Sequence, residues 1–144
     1  MGNAVTWTHA DTNRYGGSMQ VAEFTVTAGA DGTDTATTAQ ELVGQVVKWE
    51  LDSDALSAQG VIHGYEYANA LALTIRDHWM WYTTAGGAVE VVVYPLVNAA
   101  ATTNAGGALT TPGPEQRALC GRQTVELAGI TEGNTAVVRL YVRS

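Results

Sequence analysis

The chain has 144 residues, a formal net charge of −7, and only 15% charged residues, against about 25% in an ordinary globular protein. That length suits one domain able to bury about two-thirds of its unfolded surface without staples. Lys48 is the only lysine and Cys120 the only cysteine. Phosphate-backbone binding through a cationic stripe and internal disulfides are therefore excluded, and with no run of 18 apolar residues no helical membrane span is expected.

Residues 1–17 read as an N-terminal arm: Trp7, His9 and Tyr15 stand among polar residues before Gly16-Gly17. Met1 to Val5 lacks the charged-then-apolar order of a secretory leader. Gly2 with Thr6 matches the myristoylation pattern only superficially. The expectation is a chain made in a cytoplasm, with no membrane partner.

Residues 18–144 carry a period of two, the signature of strands with one face in a core. Ala22, Phe24 and Val26 alternate with Glu23, Thr25 and Thr27. Gly29-Ala30-Asp31-Gly32 follows as a hairpin turn, since glycine tolerates positive φ. A strand is expected at 34–38, and a short helical turn could fit Thr38 to Val43. Val47, Trp49 and Leu51 alternate with Lys48, Glu50 and Asp52. Strands are expected at 44–52, 60–68 and 70–77, with Asp52-Ser53-Asp54 a solvated acidic turn rather than a calcium loop, because the central Gly and closing Glu are missing.

Asp77-His78-Trp79-Met80-Trp81-Tyr82 concentrates aromatic surface. Strict alternation puts Trp79 and Trp81 on one face and His78, Met80 and Tyr82 on the other. Core, protein–protein interface and carbohydrate platform all fit that pattern. The candidate interface residues are thus Trp7, His9, Tyr15, Trp79, Trp81 and Tyr82. Residues 88–94 are apolar on both faces apart from Glu90, as in a central or doubly covered strand ended by Pro95. The Ala-, Thr- and Gly-rich stretch of about 98–114 is long for a connection and reads as a contact or functional loop. Strands at 122–128 and 135–143, separated by Glu132-Gly133-Asn134, complete an all-β, antiparallel β-sandwich of jelly-roll type.

Chemistry is sparse. His9, His63 and His78 form no metal-ligand motif, and Cys120 has no second cysteine. Gly16-Gly17-Ser18-Met19-Gln20 misses the nucleophile elbow at its last position. Cys120 reads as a buried, inert thiol. Glu66, Asp77 and His78 could converge as acid/base groups, but spacing alone gives no geometry. No phosphate loop is present. The expectation is no enzyme, no cofactor and no metal.

Glu23 to Thr37 (EFTVTAGADGTDTAT) resembles the opening of small virion structural proteins of tailed bacteriophages. Tyr94-Pro95 followed by Thr102-Thr103-Asn104-Ala105-Gly106-Gly107, and the closing pair Arg122–Leu127 and Thr135–Val142, resemble their later segments. Leu96 stands where that family usually carries Arg. The resemblance spans about residues 22–143. It implies a capsid decoration (cement) protein, a homotrimer binding the major capsid protein on the outer surface of the phage head. The alternatives are another virion component, at the head–tail junction or in the tail, or a carbohydrate-binding module using Trp79, Trp81 and Tyr82.

Overall fold

A computed structural model describes residues 3–9, 19–67, 78–99, 113–116 and 118–143. Ten strands appear among them, all paired antiparallel, with no helix. They are β1 (Ala4–His9), β2 (Met19–Thr27), β3 (Asp34–Thr37), β4 (Leu42–Glu66), β5 (His78–Val93), β6 (Leu96–Ala99), β7 (Gly113–Gln116), β8 (Ala118–Gly121), β9 (Gln123–Ala128) and β10 (Thr135–Arg143). Eight form one sheet in the order β1-β2-β10-β4-β9-β3, with β5 and β8 also paired to β4. β6 and β7 make a separate two-stranded ladder.

β4 organises the molecule. Its 25 residues replace the two strands expected at 44–52 and 60–68. The first half pairs with β10 and the second with β9, while β5 runs beside both. Register shifts at Ser53/Leu56 and Ala58/Val61 bend this ribbon, and Gln59 takes a positive φ of 66°. Thr84 secures the bend: its hydroxyl donates to Ser57 O (2.6 Å) and accepts the Gly60 N–H (2.9 Å). Through this bend the sheet curls back on itself into nearly a barrel. Asn3 brings the free edges together, donating from Nδ2 to Thr35 O (2.8 Å) and accepting the Thr27 N–H at Oδ1 (2.9 Å).

The enclosed core follows the alternation. Phe24 and Val26 of β2, Trp49, Leu51 and Ile62 of β4, Val125 and Leu127 of β9, and Val138, Leu140 and Val142 of β10 all face inward. The abundant threonines pair across strands. Thr27 meets Thr135 and Thr37 meets Thr124, each through hydroxyls 2.7 Å apart; such pairs contribute a few tenths of a kcal/mol up to about 1.

Several expectations change. Residues 4–9 of the arm are an edge strand on β2, and Val5 packs against the core; residues 10–18 lie outside the described residues. Residues 38–41 form bends rather than a helical turn, with Leu42 and Val43 already in β4. Asp52-Ser53-Asp54 is not a turn but part of β4, with Ser53 facing in and both carboxylates out. Cys120 is exposed, because Leu119 takes the inward position of β8 and alternation turns its neighbour out. The strand expected at 70–77 lies outside the described residues. The 98–114 connection has its ends paired, Asn98 with Pro114 and Ala99 with Gly113.

A charged ladder lies across β2, β10 and β4. Arg139 Nε contacts Glu23 Oε2 at 2.7 Å, Lys48 Nζ contacts Glu50 Oε1 at 2.8 Å, and the Tyr141 hydroxyl donates to Glu50 Oε2 at 3.3 Å. Hydrogen bonding to Glu50 holds the Lys48 ammonium above its ordinary 10.5. Burial, then the Glu50 charge, pushes the Tyr141 phenol above 10.0. A raised pKa means the folded state holds its proton more tightly, so both contributions are full below those ordinary values and lost as pH rises through the raised ones. The melting temperature is therefore expected to fall as pH climbs past 10.0, with a smaller fall in Tyr141→Phe. A melting temperature flat across that range would contradict the ladder's role.

Candidate functional site: a histidine–tryptophan cluster

The site grows from a single irregularity in β5. Tyr65 pairs with His78, but Gly64 pairs with Met80, so Trp79 is an extra residue opposite the ribbon. Such a bulge breaks strict alternation. Trp79 and Met80 both turn inward, 4% and 2% exposed. His78 and Trp81 instead share a face. The expected grouping of Trp79 with Trp81 is thus corrected. Trp79 belongs to the core beside Phe24, ring centroids 6.2 Å apart, and presents almost no surface. Gly64 makes this possible, since its bare backbone lies directly over the Trp79 indole.

On the other face, His63 pairs with Trp81 across β5 and with Glu126 across β9. His63 and Tyr65, two residues apart on β4, therefore stand on one face with Glu126, His78 and Trp81. His63 Nε2 lies 3.2 Å from Glu126 Oε1, and the Tyr65 hydroxyl donates to Glu126 Oε2 at 2.9 Å. His63 Nδ1 lies 3.0 Å from His78 Nε2. An ionised carboxylate only accepts, so Nε2–H of His63 donates to Glu126. The bond between His63 Nδ1 and His78 Nε2 carries one proton, whose place is set by the tautomers of the two rings. Tyr65 and His63 thus both bond Glu126, and His63 also bonds His78. Glu126 also lines an open cleft of about 480 Å³ with Asp31 and Asp34.

Trp81 sits over this network. Its ring centroid is 5.1 Å from His63 and 5.2 Å from His78 in a T-shaped contact, yet the residue is 58% exposed. A large aromatic surface is thereby buttressed by two imidazole rings in front of solvent, and support of that kind lowers the ordering cost of docking. Among the described residues no group of three or more His, Cys, Asp or Glu could hold a metal ion.

No family model, curated protein or solved structure matches the chain. Of the residues expected at an interface, Trp81 is exposed and Tyr82 is partly buried against the core. Trp7 and His9 lie on β1 opposite Ala22 and Gln20; their side chains, and Tyr15 altogether, are outside the described residues. Of Glu66, Asp77 and His78, Glu66 accepts the Cys120 N–H at 2.7 Å and His78 bonds His63, while Asp77 is outside the described residues. Spacing had singled out neither Tyr65 nor Glu126. The His63/Tyr65 alternation was a readable signal, but nothing in the strand around Glu126 marks it.

Proposed function

We propose that this chain is a structural virion protein that decorates the outer surface of a phage head, docking through Trp81. The observation carrying this reading is the exposed, preorganised Trp81 ring on its histidine support. Buried aromatic anchors dominate the energy of protein interfaces. The acidic balance of −7 suits a surface turned away from packaged DNA, and the resemblance of Glu23 to Thr37 to phage virion proteins supplies the partner, the major capsid protein. The architecture proposed with it is a jelly-roll-like sandwich whose two halves are joined by the bent β4–β5 ribbon.

In cosedimentation with empty mature shells, Trp81→Ala is expected to weaken binding by at least ten-fold while leaving the melting temperature nearly unchanged. Binding unaffected by Trp81→Ala contradicts the docking face. A carbohydrate module would instead show glycan binding that Trp81→Ala abolishes.

A further inference from the structure

Residues 88–94 pose a puzzle. Val89, Val91, Val92 and Val93 give this stretch the apolar character of a strand flanked on both sides. Yet among the described residues β5 pairs only with β4. Every second residue of such an edge directs its N–H and C=O away from the sheet, ready to pair. Natural edges are guarded by Lys, Pro or inward charges. Here Pro95 only closes the segment, and Glu90 is its single charge. Val92 is 50% and Tyr94 65% exposed, while Val91 and Val93 are only partly buried against the core.

We propose that this edge pairs antiparallel with the same edge of a second copy, on a dyad through Val92. An isologous contact requires the segment to be self-complementary, and this one is in that register. Val92 meets Val92 of the second copy, and Val91 meets Val93 on the inner face. Glu90 meets Tyr94, so a carboxylate faces a phenol donor rather than another carboxylate. Registers centred on Glu90 place like charges opposite each other, which is destabilising. A one-residue slip in the pairing loses the match of apolar positions. In the paired state one sheet runs from β1 of one copy through β10, β4 and β5 to β1 of the other. The half-buried valines gain cover, which accounts for the doubly flanked pattern. The contact does not involve Trp81 and stands independently of the particle reading.

The test uses the free full-length chain with no particle present. Light scattering after gel filtration is expected to give twice the 15.1 kDa of one chain. Val92→Lys sets two ammonium groups against each other and is expected to weaken the dimer at least a hundred-fold, with an unchanged circular dichroism spectrum. Val92→Cys, in a Cys120→Ser background, is expected to form a disulfide between copies on mild oxidation. A mass of one or three chains, a dimer that survives Val92→Lys, or a dimer without the 92–92 disulfide overturns the proposal.

Discussion

Replacing Gly64 with alanine is expected to cost about 2–3 kcal/mol of stability, the upper range for overpacking a filled core. A Cβ at that position falls 2.6 Å from Trp79 Cε2 and Cη2, a separation that real side chains do not tolerate. The indole cannot simply retreat, because Phe24 and the rest of the buried cluster occupy the space beneath it. Either the bulge at Trp79 re-forms or the ring is expelled, and in both cases His78 and Trp81 lose their shared face. The coupling can be read directly. Gly64→Ala combined with Trp79→Leu is expected to lose less than the sum of the two single changes, because the smaller side chain vacates the space the methyl needs. Urea denaturation of the four proteins measures this. A Gly64→Ala cost below about 0.5 kcal/mol, the scatter of an unremarkable surface change, would contradict the packing described.

Glu126→Ala is expected to cost about 2–3 kcal/mol, somewhat less than two charge-assisted hydrogen bonds at about 1.5–3 kcal/mol each, because the two are not additive. The carboxylate accepts from both His63 and Tyr65, and these are only 6% and 8% exposed. Removing it leaves two largely buried polar groups without that acceptor. The second consequence concerns Trp81. With His63 no longer anchored from behind, the ring loses its fixed support, so its fluorescence anisotropy decay should gain a faster component. Glu126→Gln, which keeps the shape and one acceptor, should lie between. Stability within about 0.5 kcal/mol of the parent, with Trp81 equally rigid, would show that the network does not hold the ring.

Much of the fold was legible because one face of nearly every strand is buried. The alternations through Phe24, Leu51 and Leu140 mark inward faces correctly, since a half-buried strand repeats every two residues. The continuity of β4 was not legible. Its bend at Ser57–Gly60 looks like punctuation in sequence but is bridged by Thr84 from β5. The candidate site failed to show for a related reason. A bulge displaces one residue, and alternation carried across it assigns Trp79 and Trp81 to the same face. Only the pairing partner, Gly64, reveals the insertion, and that pairing is a non-local property. Glu126 comes from a strand 63 residues away, so no local spacing could tie it to His63. Cys120 was misplaced because a four-residue edge strand is too short to show its own period.

On the proposed function, many copies of this chain sit on the outside of a particle, each docked through Trp81. A cryo-EM map of the virion tests it most directly. The expected result is density for this fold at dozens to hundreds of equivalent outer-surface positions, with the His63–His78–Trp81 face against the shell. A handful of copies at one vertex, or shells carrying none, would contradict it.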